Sequence, residues 1–135
     1  PHSARIHFIG KVQNVPDYYS FADIFVLPTL DEGRKEGCPV SLLEAMACGL
    51  PIVASDIPGA SDILKPFPEC LFPAGNAGKL SETMDRALFN TNRVQHGNSY
   101  RSHLKNHFSI QREVERHQSV YHQCLDIHQQ KKYYS

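Results

Sequence analysis

No apolar run in these 135 residues approaches the roughly 18 that a membrane-spanning helix needs, and the amino end carries no signal-peptide pattern. The four cysteines, Cys38, Cys48, Cys70 and Cys124, form no C-x-x-C pair. That spacing leaves free thiols, as expected in a reducing compartment. There is no Gly-rich P-loop, no nucleophile elbow and no D-x-D motif, so the chemistries those elements support are not indicated. Internal repeats and low-complexity tracts are also absent. With formal charge balanced at zero, no nucleic-acid partner is expected. The expectation is a soluble, cytoplasmic chain.

What is present is one domain's worth of sequence, long enough to bury roughly two thirds of its unfolded surface. Its charge is divided unevenly. Residues 1–78 carry five Lys and Arg against nine Asp and Glu, a net of −4, while residues 79–135 carry nine against five, a net of +4. Solvated helix faces account for such a pattern. A weakly basic face meeting an anionic membrane surface is the sharper reading, and would make the chain peripheral at the cytosolic side of a membrane.

The order of elements reads as α/β. Arg5 to Ile9 has the composition of a short buried strand leading to Gly10. Asn14 is placed to cap a helix whose first turn holds Pro16 and Asp17. Ile24 to Leu27 is an uninterrupted apolar strand of the kind found in the middle of a parallel sheet. Ile52 to Ala54 gives a further strand, and Cys70 to Phe72 a short one. Helices are expected over Ala77 to Asn90, over Ser99 to Asn106, and from Ser109 to about Gln129. In the last of these Ile110, Val114, Tyr121 and Leu125 share one stripe. Gln129 to Ser135 reads as a frayed polar tail. Alternating strands and helices predict a Rossmann-like, doubly wound parallel sheet ending in helices, with ligands at the carboxyl ends of the strands.

The most informative stretch runs from Glu36 to Pro51, E-G-C-P-V-S-L-L-E-A-M-A-C-G-L-P. A loop of Gly37, Cys38 and Pro39 enters a helix over Ser41 to Cys48, with Leu42, Leu43, Ala45, Met46 and Ala47 to bury. Gly49 is free to take a left-handed conformation past its end, and Pro51 is unable to continue it. The unpaired N–H groups at the start of such a helix form an anion site. Glu36 stands just before that site, and Glu44 one turn inside the helix. Glu44 also has a purely structural alternative, because Ser41-x-x-Glu44 fits a capping box.

The spacing E-x7-E in this setting, after the strand-like Ala22-Asp23-Ile24-Phe25-Val26-Leu27-Pro28, resembles the donor-binding motif of retaining, nucleotide-sugar-dependent glycosyltransferases of the GT-B fold, family 4 type (glycosyl transferases group 1). The likeness extends from His7-Phe8-Ile9-Gly10-Lys11-Val12 to Pro51-Ile52-Val53-Ala54-Ser55-Asp56-Ile57-Pro58-Gly59 and covers about residues 5–94.

The resemblance implies a partial carboxyl-terminal, donor-binding domain. Residues 1–94 would form its nucleotide-sugar-binding half and residues 95–135 its terminal helices. It implies that Glu36 is the catalytic carboxylate and holds donor-sugar hydroxyls, that Glu44 holds the ribose, that the N–H groups of Gly37 and Cys38 reach the sugar, and that those of Val40 and Ser41 reach the phosphates. Backbone groups around Lys11 and Val12 would touch the base. Cys38 departs from the aromatic common at its position. Asp31 to Lys35 reads as an insert, either a flexible surface loop or a source of a cation near phosphate. By the same resemblance, the acceptor domain and the Arg and Lys that meet the leaving diphosphate lie upstream of the matched region. The partners are then a donor nucleotide sugar and that missing amino-terminal domain, with no metal or other cofactor. The fragment alone would bind donor weakly and turn nothing over.

His103 and His107, and Cys124 and His128, fall at helical i, i+4 spacing, but a third ligand is not evident and no metal site is expected. Two rival functions remain open. A non-catalytic sugar-nucleotide-binding module would bind donor and need no partner domain, whereas a GT-B sugar-nucleotide epimerase would isomerise the sugar without an acceptor.

Overall fold

A computed structural model of the chain describes residues 5–30, 33 and 37–133, without the side chains of 127–133. Three strands, β1 (Phe25–Leu27), β2 (Ile52–Ser55) and β3 (Leu71–Phe72), form a parallel sheet in the order β1-β2-β3. Phe25 pairs with Ile52, Leu27 with Ala54, and Ser55 with Phe72. The helices are α1 (Val15–Phe21), α2 (Val40–Cys48), α3 (Ala60–Ile63), α4 (Ala77–Leu88), α5 (Arg93–His107) and α6 (Ile110–Tyr133), with a 3-10 turn over Pro68–Cys70. Because parallel strands cannot be joined by a tight hairpin, the chain makes crossover connections, and α2 and α3 lie within them.

The middle of the sheet is β2, buried along its whole length. Ile52, Val53 and Ala54 make both faces apolar up to Ser55, as a covered parallel strand requires. Leu42, Ala45 and Met46 of α2 pack over it with Ile57, Ile63, Leu64 and Tyr100. At the end of α2 the N–H of Gly49 donates to the Met46 carbonyl at 3.0 Å and that of Leu50 to the Ala45 carbonyl at 3.2 Å. With Gly49 at φ 76° and Leu50 buried, this is the glycine-terminated helix end the sequence calls for.

Several expectations need correction. Ile6 to Gly10 joins no strand among the described residues, and Phe8 is 98% exposed. A run of apolar residues becomes a strand only when its backbone finds a ladder partner, and this one has none. For the same reason β1, expected at the middle of the sheet, is a half-buried edge. Ala47, expected to be buried, faces out. Helix α5 begins at Arg93 rather than Ser99, and α6 continues through the expected frayed tail as far as Tyr133. The short α3 was not foreseen.

The helix caps differ in kind. Asn76 caps α4, its side chain accepting from the Lys79 N–H at 3.0 Å. Ser109 caps α6 weakly, accepting from the Arg112 N–H at 3.4 Å. Asn14, however, turns its amide to the Asp17 carboxylate and not to the backbone of α1. The predicted stripe of α6 forms, yet Ile110, Val114, Tyr121 and Leu125 all remain exposed.

Candidate functional site

The geometry starts where β1 ends. Beyond Leu27, at the carboxyl end of β1, the loop before α2 holds Gly37 and Cys38, both exposed, and Pro39, which is buried. Pro39 is the residue that caps α2. Its carbonyl accepts from the N–H of Leu42 at 3.0 Å and of Leu43 at 3.4 Å, and no side chain caps the helix. The N–H groups of Val40 and Ser41 therefore have no backbone acceptor among the described residues. They are free to meet an anion, at the end of the helix where the dipole favours one.

This register does not form the capping box open to Glu44. A capping box needs Ser at the cap and Glu three residues on. Here Ser41 is the second residue of the helix and Glu44 the fifth, so Ser41 is not the cap and Glu44 does not reach back to it. Glu44 is exposed and is met instead by Tyr19 of α1, whose hydroxyl lies 3.4 Å from Glu44 Oε2 and 3.3 Å from the Ser41 carbonyl. Burial first, and then the charge of Glu44, raise the Tyr19 pKa, so the phenol stays protonated and donates. Its ring stands edge-on to Phe25, centroids 6.0 Å apart, which fixes α1 against both β1 and α2.

Tyr19 is the site residue that sequence reasoning missed. It precedes Glu44 by 25 positions, and no spacing rule joins them; only the packing of α1 beside α2 does so. Ser55, at the carboxyl end of β2, was also missed. Its buried hydroxyl has no hydrogen-bond partner among the described residues.

The remaining predicted positions are distributed as follows. Val40 and Ser41 are brought together with Glu44 on the first turns of α2, with Gly37 and Cys38 just before them. Lys11, exposed, and Val12, half-buried, follow Gly10 (φ 69°) in irregular chain before α1, and no hydrogen bond among the described residues links them to α2. Glu36 and most of the Asp31–Lys35 insert lie outside the described residues, so the pairing of Glu36 with Glu44 stays an expectation.

Of the metal-spaced pairs, the rings of His103 and His107 lie with centroids 4.8 Å apart, tilted by 42°. His103 Nε2 lies 3.0 Å from the Ile63 carbonyl, an acceptor, so that nitrogen carries the proton and donates. The side chain of His128 is not described. No helix among the described residues is long and apolar enough to cross a membrane.

With this geometry the family comparison is decisive. The family model described as glycosyl transferases group 1 matches residues 2–90, more than half of the chain. The chain belongs to that family. This glycosyltransferase-family domain is 43% identical over 60 residues to the lipopolysaccharide core biosynthesis mannosyltransferase LpsB of Rhizobium meliloti, covering 44% of the chain and 16% of that protein. It is 38% identical over 87 residues to the N,N'-diacetylbacillosaminyl-diphospho-undecaprenol alpha-1,3-N-acetylgalactosaminyltransferase of Campylobacter jejuni, covering 64% of the chain and 22% of that protein. Among solved structures, sucrose-phosphate synthase from Thermosynechococcus elongatus superimposes with a TM-score of 0.76 at 25% identity, covering 92% of the chain and 31% of that one. The glycosyltransferase-family chain thus spans a minor part of the length of its relatives. Its parallel sheet and flanking helices are a partial Rossmann-like domain of the GT-B, family 4 type.

Proposed function

We propose that this domain supplies the donor site of a retaining glycosyltransferase, which moves a sugar from a nucleotide diphosphate sugar to an acceptor hydroxyl. The observation that carries the reading is the start of α2. Two N–H groups stand free at the positive end of the helix, and a carboxylate one turn in is held by a tyrosine and not consumed as a cap.

In this reading the Val40 and Ser41 N–H groups receive the diphosphate, where charge grows as the glycosidic bond breaks. Preorganised donors at that point stabilise the departing phosphate without reorganising. Glu44 accepts from the ribose hydroxyls, and its carboxylate makes those bonds stronger than a neutral acceptor would. Gly37 and Cys38 offer N–H groups to the sugar, Glu36 takes its hydroxyls, and the backbone at Lys11 and Val12 borders the base. Residues 1–94 would carry this half and residues 95–135 the helices that back it.

The acceptor site belongs to an amino-terminal domain beyond these residues, no metal takes part, and the chain alone binds donor without turnover. The Campylobacter relative is named for a diphospho-undecaprenol acceptor. That supports a peripheral position at a cytosolic membrane face, consistent with the net +4 of residues 79–135. The reading is tested by amide-resolved NMR titration with nucleoside diphosphates. The Val40 and Ser41 amides are expected to shift with saturation; saturable binding that leaves both unmoved contradicts the assignment.

A further inference from the structure

A cavity of about 90 Å³ lies at the other end of the sheet from the α2 loop. It is lined by Pro51 and Ile52, where β2 begins, and by Cys70, just before β3, with Thr83 and Arg86 from α4 and Arg93, His96 and Tyr100 from α5. The motif loop follows the carboxyl end of β1, so the two sites are separated by the length of the parallel strands.

The charge of this cavity is lopsided. Arg86 and Arg93 both line it, and neither forms an ion pair with a carboxylate among the described residues. Arg86 Nη2 donates at 3.0 Å to the hydroxyl of Thr83, a residue only 2% exposed, and Arg93 Nη2 donates to the Leu88 carbonyl. These bonds fix the two guanidiniums while leaving most of their five N–H groups each unspent. The single carboxylate of the lining, Glu69, faces His96 with Nδ1 3.8 Å away.

Arg93 closes the carboxyl end of α4 through its bond to the Leu88 carbonyl, where a cation is favoured, as it is for Arg86 in the last turn of that helix. Arg93 is also the first residue of α5, where the dipole disfavours a cation, and the residue before it, Asn92, provides no side-chain cap. An anion held between Arg93 and Arg86 would relieve both charges. The volume limits which anion: about three waters would fill it, and it is well below the roughly 300 Å³ of sites for larger organic ligands.

We infer that this cavity is a binding site for one small oxyanion, a phosphate or a short carboxylate, gripped by Arg86 and Arg93 and independent of the donor site. Guanidinium groups favour such ligands because their paired N–H groups match two oxygens at once.

The test is an amide-resolved NMR titration of the chain with sodium phosphate and, separately, with sodium acetate, ionic strength held constant with chloride. Saturable shifts are expected at Thr83, Arg86, Arg93 and His96, and the anion that binds more tightly identifies the ligand class. Arg93→Gln and Arg86→Gln should each weaken binding about tenfold or more, since each removes hydrogen bonds to a charged group. Glu69→Gln should tighten it, an outcome that loss of fold cannot mimic. Shifts that rise linearly without saturation for both anions overturn the inference. So does an affinity that none of the three substitutions moves.

Discussion

Gly97 of α5 lies against the backbone of Gly49, at the end of α2, so closely that a β-carbon on residue 97 would stand 2.9 Å from the Gly49 carbonyl oxygen. Neither partner can give way easily. The Gly49 backbone is held at φ 76° by the helix-terminating bonds of α2. The approach seats α5 on α2 and thereby sets the back of the element whose front is the candidate donor site.

Gly97→Ala is therefore expected to destabilise the chain, although alanine is the better helix former. Overpacking against backbone costs about 1–3 kcal/mol, and the gain in helix propensity returns at most about 1 kcal/mol. A lowered denaturation midpoint is the expected outcome, and an unchanged or raised midpoint contradicts the close approach.

Tyr19→Phe keeps the ring on Phe25 and removes the hydroxyl from Glu44 and the Ser41 carbonyl. Both bonds are long and Glu44 is exposed, so the stability change should stay below about 1 kcal/mol. Nucleotide affinity should fall severalfold, because Glu44 loses the donor that orients it. Comparing the denaturation midpoint with the dissociation constant of the variant separates the two effects.

The cysteines should divide three to one. Cys38, Cys48 and Cys124 are exposed, while Cys70 is buried, its Sγ 3.2 Å from the Tyr100 hydroxyl and its pKa pushed up to about 11 by burial. Only the thiolate reacts. A thiol titration of the native chain at mildly alkaline pH should show three fast groups and a fourth that appears with unfolding. Four equally fast thiols would contradict the burial of Cys70.

Burial lowers the pKa of His103 from its ordinary 6.5, the neighbouring charge of His107 adding to the effect and the bond to Ile63 opposing it. The unfolded chain then binds the proton more readily than the folded one, so stability is retained above about 6.5 and lost as pH falls through the lower, folded value. The difference in stability between the chain and His103→Gln, followed from pH 7.5 to 5, should shrink as the solution is acidified. A constant difference would contradict this account.

Much of the fold is written locally. Gly49 followed by Leu50 and Pro51 announces the end of α2, and Ile52 to Ala54 could only be a covered strand. Where the outcome depends on a distant partner, local reading failed. Ile6 to Ile9 has a strand's composition but no ladder to join, and the first turns of α5, from Arg93, pack through Gly97 on Gly49, a contact that local sequence does not show. Within the candidate site, the grouping of Val40, Ser41 and Glu44 was legible because the start of one helix brings them together. That Ser41-x-x-Glu44 forms no capping box was not, since it turns on Pro39 and not Ser41 being the cap. Tyr19 had no signal, as nothing in spacing joins residues on two separate helices.

The central claim is that Glu44 serves a ligand. Calorimetric titration of UDP, GDP and ADP and their sugar conjugates into the chain and into Glu44→Gln tests it directly. One nucleotide should bind the chain, and equally stable Glu44→Gln should bind it about tenfold more weakly, as expected for losing a hydrogen bond to a charged group. Undiminished binding by a folded Glu44→Gln would contradict the account.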